Sequence, residues 1–176
     1  MKRAVFFCSA SYTIDPKFNE AAREFVAATC REGYGIVSGG AIKGTMNAVA
    51  DEAALFPGEN IGCIPKFMKD VVHPRLTEVI WTDTMSERKE AMRVGVSLAV
   101  ALPGGIGTLD ELFETYVLIK LGLLDARLVV VNIDGVYDPL EALLDRFVEM
   151  NTLERADREK IHFVRTLEEY LELIRG

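Results

Sequence analysis

The sequence predicts an α/β fold in which helices cover both faces of one doubly wound parallel β-sheet. Short segments that are apolar at every position recur along the chain, and segments with apolar residues at helical spacing separate them. Continuously apolar strands are typical of parallel sheets that are buried on both faces. With 176 residues and neither a linker nor an internal repeat, the chain is expected to form a single Rossmann-like domain over residues 1–176.

The strands are expected to alternate with helices from one end of the chain to the other. They are predicted at residues 4–8, 35–38, 60–64, 76–81, 98–102, 128–131 and 162–164. Asp15-Pro16 and Asp138-Pro139 each offer an N-cap followed by proline at the first helical position. Thr166 and Glu169 have the spacing of a capping box and predict the start of the last helix.

Helices are also expected over residues 85–94 and 108–121, and around Met46 to Ala54. Two helices carry apolar stripes that are expected to face the core. In the helix over residues 108–121 this stripe is Leu109, Leu112, Phe113, Tyr116 and Val117. In the helix that starts near Asp138 the stripe is Leu140, Leu143, Leu144 and Phe147.

Charge and composition exclude several functional classes. A formal charge of −7 argues against binding to a nucleic acid polymer, whose phosphate backbone requires a basic surface. The three cysteines form no CxxC pair, and with two histidines a zinc cluster is not expected. Unpaired thiols and the absence of a membrane-length apolar run favour a cytoplasmic protein without membrane contact.

Two glycine-rich loops lie at strand-to-helix junctions, at residues 38–46 and 103–111. Glycines let the backbone approach a ligand, and the N-terminus of the following helix offers free N–H groups to a phosphate. Gly39 and Gly40 are the candidates in the first loop. Neither loop is a P-loop or a GxGxxG motif. The alternative is that both loops are only tight turns, with Thr108 and Glu111 forming a capping box.

Arg88 and Lys89 lie on the helix that precedes the second loop. If that helix begins at the same edge of the sheet, both side chains can face a ligand there, and arginine is suited to bidentate contacts with phosphate or a base. The alternative is that both are solvated surface charges.

Residues 103–111 resemble the PGGxGTxxE motif of the lonely guy (LOG) family of cytokinin riboside 5′-monophosphate phosphoribohydrolases. The similarity extends over nearly the whole chain. It includes residues 5–9, which are similar to the family's VFCGS start, and the glycine-rich residues 38–46. It also includes the Met85-x-x-Arg88-Lys89-x-x-Met92 pattern, and residues 132–139, which are close to NVDGYYDPL.

The resemblance implies hydrolysis of a nucleoside 5′-monophosphate, of the AMP or cytokinin riboside type, to a free base and ribose 5-phosphate. It assigns catalytic roles to Arg88 and Glu111. The family's substrate-binding positions fall on Lys89, Gly104, Gly105, Gly107, Thr108 and Asp110. It further implies a homodimer, and no metal or redox cofactor.

The chain departs from the family pattern where base and ribose would be recognised. Ala41, Thr45 and Asn47 replace a glycine, a leucine and a glycine of the first loop. Ser86 stands where many members have histidine, and Asp110 where glutamate is usual. An upstream substrate glutamate corresponds to Asp70 only with a gap. These changes affect the expected substrate more than the expected fold.

Other functions stay open. A non-catalytic nucleotide sensor or carrier would use the same scaffold but would not need Glu111, and an interaction protein would bind no nucleotide. Ser38 has no nucleophile elbow around it, so an ester hydrolase is not expected. No Schiff-base lysine with pyridoxal phosphate partners is recognisable, so lysine decarboxylation is rejected. His73, His162 and Cys8 are interpreted as structural, and Lys43 as exposed.

Overall fold

A computed structural model describes residues 2–176 of the chain, which form one seven-stranded parallel sheet. Its strands are β1 (Lys2–Phe7), β2 (Tyr34–Ser38), β3 (Asn60–Pro65), β4 (Glu78–Thr82), β5 (Val96–Ala101), β6 (Arg127–Val131) and β7 (Ile161–Val164). They lie in the order β4-β3-β2-β1-β5-β6-β7, and each neighbouring pair is parallel. The predicted doubly wound α/β fold is therefore confirmed.

Helices connect the strands and cover both faces of the sheet. They are α1 (Pro16–Arg31), α2 (Gly44–Ala53), α3 (Met85–Met92), α4 (Ile106–Lys120), α5 (Asp138–Glu149), α6 (Arg155–Arg158) and α7 (Leu167–Arg175). A 3₁₀ segment over Lys66–Val71, kinked at Met68, and a short one over Ile133–Gly135 complete the chain. None of the helices within residues 2–176 is long and apolar enough to cross a bilayer.

Alternate residues of the central strands point into two apolar layers. One layer lies under α1, α2 and α7 and includes Phe6, Phe25 and Tyr170. The other lies under α3, α4 and α5 and includes Phe7 and Leu112. Because both faces are covered, the buried stretches of the central strands are mainly apolar, as the sequence pattern indicates.

The strand order changes direction at β1, which pairs with β2 on one side and with β5 on the other. Strands β2, β3 and β4 therefore extend the sheet on one side of β1, and strands β5, β6 and β7 extend it on the other. Ligand sites in open parallel sheets lie at the carboxyl ends of the strands beside such a point. The loops after β1, β2 and β5 converge there, and two of them are the glycine-rich loops.

Several local details correct the sequence interpretation. Helix α4 begins at Ile106 with Gly105 as its N-cap, two residues before the expected start at Thr108, so the alternative of a capping box formed by Thr108 and Glu111 is wrong. Val117 and Leu143, expected in buried stripes, are 49% and 46% exposed. Both prolines do lie at helix starts, and the Asp15 side chain caps α1.

Of the other two predicted caps, one is confirmed and one is wrong. Thr166 and Glu169 form the expected capping box at the start of α7. Asp138 is the first residue of α5 rather than its N-cap, a position that Tyr137 takes. The Asp138 carboxylate instead accepts a hydrogen bond from the side-chain amide of Asn132 at 2.7 Å. This hydrogen bond joins Asn132, directly after β6, to the first residue of α5.

Candidate active site

A cavity of about 380 Å³ lies at the carboxyl edge of the sheet, where the loops after β1, β2 and β5 meet. Its walls come from those three loops, from the 3₁₀ segment and from the facing sides of α2, α3 and α4. Cys8, Gly39, Met46, Arg88, Thr108 and Glu111 are among its lining residues. The two residues expected to be catalytic thus lie in one cavity with residues of both glycine-rich loops.

Arg88 and Glu111 form a buried ion pair in this cavity. Arg88 Nη1 donates to Glu111 Oε1 at 3.0 Å. Arg88 Nε donates to the backbone carbonyl of Cys63 in β3, also at 3.0 Å. Two of the guanidinium nitrogens therefore have fixed partners on two different elements, and this defines the orientation of the side chain.

Burial dominates the protonation of Glu111. It raises the pKa of the carboxyl from its ordinary value of 4.5 to about 7, although the Arg88 guanidinium acts in the opposite direction. The negative charge of Asp110 contributes to the rise, while Lys89 opposes it. Near neutral pH the carboxyl is therefore divided between its charged and neutral forms, which suits a group that exchanges or stabilises charge during a reaction.

The N-terminus of α4 points its first turn at the same cavity. Gly105, Gly107 and Thr108 line it, and the first N–H groups of a helix have no intrahelical partners. Within residues 2–176 the hydroxyl of Thr108 is buried without a hydrogen-bond partner. Gly104 is packed so closely that a Cβ there would overlap this hydroxyl. This end of the cavity therefore offers several unused donors to an anion.

The first glycine-rich loop forms the wall behind Arg88. A Cβ at Gly39 would overlap Arg88 Nη2 and would lie 2.6 Å from the sulfur of Met46. Gly40 has a φ of +67°, and a Cβ there would lie 2.6 Å from the Cα of Gly62 on β3. Gly39 lines the cavity, whereas Gly40 lies behind it and allows the loop to pack against the sheet.

Lys89 and Asp110 pair with each other beside the cavity rather than inside it. The Lys89 ammonium lies 2.9 Å from Asp110 and 2.6 Å from Glu114. These ion pairs raise the pKa of Lys89. Both residues border a neighbouring depression, which Glu114 and apolar side chains of α4 also line. The structure thus separates this pair from the cavity that holds Arg88 and Glu111.

Several lining residues were not predicted as site residues from the sequence. They are Phe6, Ser9, Ala10, Ser11, Met46, Met68 and Met85. Met46 and Met85 belong to segments that resemble the family, but the sequence does not show that their side chains meet. Met68 comes from the 3₁₀ segment, which sequence periodicity did not predict.

The other candidate residues lie as follows. Burial raises the pKa of the Cys8 thiol, so this group lines the cavity in its neutral, unreactive form. The Ser38 hydroxyl is fully buried and accepts a hydrogen bond from the backbone N–H of Gly40. His162 lies on β7 and borders pockets remote from Arg88. Residues 2–176 hold no group of three or more His, Cys, Asp or Glu side chains that could bind a metal ion.

Known proteins are similar to the chain over most of its length. A family model described as possible lysine decarboxylase matches residues 46–174. A protein of Mycobacterium tuberculosis is 34% identical, with 94% of this chain and 89% of that protein covered. One of Mycobacterium marinum is 32% identical with the same coverage. Both are named cytokinin riboside 5′-monophosphate phosphoribohydrolase.

Solved structures share the fold at low sequence identity. A molybdenum cofactor binding protein from Rippkaea orientalis has a TM-score of 0.76 at 19% identity, covering 99% of this chain and 96% of that one. The molybdenum cofactor carrier protein of Chlamydomonas reinhardtii has a TM-score of 0.74 at 16% identity, covering 99% and 97%. Because the family model and the relatives both match most of the sequence, the chain belongs to the lonely guy family.

Proposed function

We propose that the chain hydrolyses the N-glycosidic bond of a nucleoside 5′-monophosphate and releases a free base and ribose 5-phosphate. The main support for this reaction is the buried Arg88–Glu111 ion pair, which shares one cavity with the N-terminus of α4. The relatives named phosphoribohydrolases support the same reaction. AMP and cytokinin riboside monophosphates are the proposed substrates.

The 5′-phosphate is assigned to the N-terminus of α4. Its oxygens would accept from the free N–H groups of the first turn and from the unpartnered hydroxyl of Thr108. Gly105 and Gly107 line the cavity there, and neither has an atom within 4 Å of an added Cβ, so the backbone is open to a ligand. Binding the phosphate there would hold the ribose beside Glu111.

Glu111 is assigned to the reacting carbon of the ribose. As the bond between C1′ and the base nitrogen breaks, its electron pair leaves with the base and positive charge develops on the ribose. The carboxylate would stabilise that charge and orient the water whose oxygen bonds to C1′. One proton of that water leaves as the new bond forms, and the base nitrogen gains a proton.

Arg88 is assigned to the departing base, because its guanidinium is held beside Glu111 and faces the cavity. The thioether of Met46 lies 4.0 Å from Arg88 Nη2 and extends this wall with apolar surface that suits a purine ring. Lys89 and Asp110 are assigned to the rim, where a substrate that extends out of the cavity would meet them. Both also act on Glu111 through their charges.

The alternative function is a non-catalytic nucleotide sensor or carrier on the same scaffold. The fold shared with a protein named molybdenum cofactor carrier favours this alternative. A buried carboxyl whose pKa lies near 7 beside an arginine favours the enzyme, because binding alone does not require such a group.

Product analysis separates the two functions. Wild-type protein and a Glu111→Gln variant are incubated with AMP and with a cytokinin riboside monophosphate, and the mixtures are separated by chromatography. Free base and ribose 5-phosphate from the wild type alone support the enzyme. Nucleotide binding by both proteins without any cleavage supports the carrier, and equal cleavage by both contradicts the role of Glu111.

The apolar surface of α4 supports a homodimer. Ile106 is 83% exposed, and Leu109, Phe113 and Val117 follow it at helical spacing along one side of α4. Leu121 continues this stripe beyond the end of the helix and is also exposed. A contiguous apolar surface on a water-soluble domain favours an isologous contact with a second copy. Because the stripe begins at Ile106, next to the glycine-rich loop, the contact would lie near the cavity.

A cytoplasmic location is part of the same proposal. Cys8, Cys30 and Cys63 are all free thiols, and two of them are buried. Thiols without disulfides fit a reducing compartment. Fractionation of the source cells, with antibodies against the native protein, tests this location.

A further inference from the structure

His73 is a buried histidine whose two ring nitrogens both have hydrogen-bonding partners. It follows the 3₁₀ segment and is 3% exposed. Its Nδ1 accepts the backbone N–H of Arg75 at 3.2 Å, so this nitrogen carries no proton. Its Nε2 lies 3.2 Å from a carboxylate oxygen of Asp51 on α2 and is placed to donate to it. The ring therefore connects the segment after the 3₁₀ turn to α2.

Asp51 is itself held in position by other groups. The side-chain amide of Asn47 donates to it at 2.9 Å, one turn earlier on α2. Arg23 and Arg75 each approach the same carboxylate to 3.7 Å. These are the charged groups that face the imidazole and its partner. Because Asp51 is contacted by Asn47 on α2 and by Arg23 on α1, it gives His73 a fixed point of attachment.

The backbone around His73 clamps the first glycine-rich loop. The N–H of His73 donates to the carbonyl of Gly40 at 2.9 Å, and the N–H of Ile42 donates to the carbonyl of Val71 at 2.8 Å. Ala41 and Val72 form an antiparallel bridge between these two bonds. Three consecutive residues on each side are thus joined, and His73 forms the end of the clamp nearest Gly40.

The clamped loop is the wall against which Arg88 rests. Gly39 precedes Gly40 directly, and the Arg88 guanidinium packs so closely on it that no Cβ would fit. A shift of this loop away from β3 would open space behind Arg88 and loosen the ion pair with Glu111. The path from Asp51 through His73 and Gly40 therefore ends on a side chain of the cavity.

We infer that His73 is a positioning residue, which fixes the first glycine-rich loop behind Arg88 through its hydrogen bond to Asp51. The effect of His73 on catalysis rests on the proposed function. His73 is absent from the lining of the cavity, so it acts through Arg88 and touches no substrate. The same clamp is joined to the 3₁₀ segment, whose Met68 also lines the cavity.

The kinetic test compares His73→Leu with His73→Gln. Leucine removes both ring hydrogen bonds, so kcat/KM for AMP is expected to fall about 10- to 100-fold, mainly through kcat, because displaced catalytic groups lose transition-state contacts. The glutamine amide can still donate to Asp51 and is expected to keep kcat/KM within about threefold of wild type. Equal losses in the two variants would contradict the inference.

Two further variants separate positioning from stability. Asp51→Ala removes the acceptor, whose side chain is 30% exposed, and it should lower kcat as His73→Leu does. Tyr170→Phe breaks a buried hydrogen bond to Thr29 far from the cavity, so it should lower the melting temperature without changing kcat. A folded His73→Leu or Asp51→Ala variant that behaves like Tyr170→Phe would overturn the inference.

A readout without substrate keeps the inference separate from the proposed function. The Nε–H of Arg88, which donates to the Cys63 carbonyl, can be followed by NMR as its hydrogen exchanges with solvent. Exchange about tenfold faster in Asp51→Ala than in Tyr170→Phe is expected if the clamp holds Arg88. Unchanged exchange would refute the inference. A wild-type protein that cleaves no nucleotide would refute the proposed reaction alone.

Discussion

The guanidinium of Arg88 and the carboxylate of Glu111 meet across 3.0 Å in a cavity where the two side chains are only 9% and 11% exposed. Burial raises the free energy of the charged carboxylate, and the positive charge of Arg88 lowers it. Burial has the larger effect, so the pKa of Glu111 is about 7. A fully solvated carboxyl would be charged at all physiological pH values. This one instead responds to small changes in its surroundings.

Replacing Glu111 with glutamine tests the catalytic role of the carboxylate. The variant keeps the shape and the hydrogen bond to Arg88 but loses the charge. Cleavage of AMP is expected to slow by about 100- to 10,000-fold, the range usual for acid–base groups, with little loss of nucleotide affinity. The measurements are steady-state kinetics and calorimetric binding. Glu90→Gln on the exposed side of α3 is the control, and equal losses in both variants would contradict the role.

The pH dependence of the reaction follows from the same carboxyl. Because Glu111 is proposed to act in its charged form, kcat/KM should rise with pH around a midpoint of about 7. Asp110 raises the pKa of Glu111, so Asp110→Asn should move the midpoint to lower pH. Initial rates of the wild type and the variant, measured between pH 5 and 9, give both midpoints. This range extends roughly two pH units on either side of the expected wild-type midpoint. A rate that falls over this range would instead assign Glu111 as a proton donor.

The same carboxyl makes the stability of the protein depend on pH. In the folded state its pKa lies near 7, and in the unfolded state near the ordinary 4.5, so between these values the folded chain binds more protons. Its contribution to the free energy of unfolding therefore falls as pH rises from 4.5 to 7. Relative to wild type, Glu111→Gln should gain stability over that interval. Urea titrations at several pH values measure the difference, and a constant difference would contradict the raised pKa.

Thr108 is expected to bind the phosphate of the substrate rather than to cap its helix. Thr108→Val removes the unpartnered hydroxyl with little change of shape, and a hydrogen bond to a charged group is worth about 10- to 100-fold in affinity. Binding of AMP should weaken by that factor, whereas binding of adenosine should not change. Calorimetry with both ligands measures this, and Thr29→Val in the remote core is the control. An equal loss for adenosine would exclude a phosphate contact.

Sequence patterns predicted the layers of this fold because each element carries its own local signal. The same local reasoning left two roles open for Thr108, because a threonine three residues before a glutamate also has the spacing of a capping box. Gly105 takes the N-cap position instead, so the helix starts earlier and Thr108 turns towards the cavity. The motif was recognisable from the sequence, but the direction of its side chains depends on where the helix begins.

Contacts between distant parts of the chain had no local signal at all. Asp51 and His73 are far apart in sequence, and nothing near either residue indicates that they meet. Lys89 and Asp110 were expected beside the substrate from the resemblance, but the sequence did not indicate that they pair with each other at the rim of the cavity. Such arrangements depend on how helices of different connections pack, which periodicity does not encode.

The exposed stripe of α4 predicts a dimer that a single charge should disrupt. Val117→Glu places a carboxylate in the centre of the proposed contact, where it would lose its hydration, so the variant is expected to be monomeric. Leu143→Glu on α5 is the matched control, because its side chain is almost equally exposed, 46% against 49%. Sedimentation velocity measures the state of each protein. A monomeric wild type, or dissociation by both substitutions, would exclude this stripe as the specific interface.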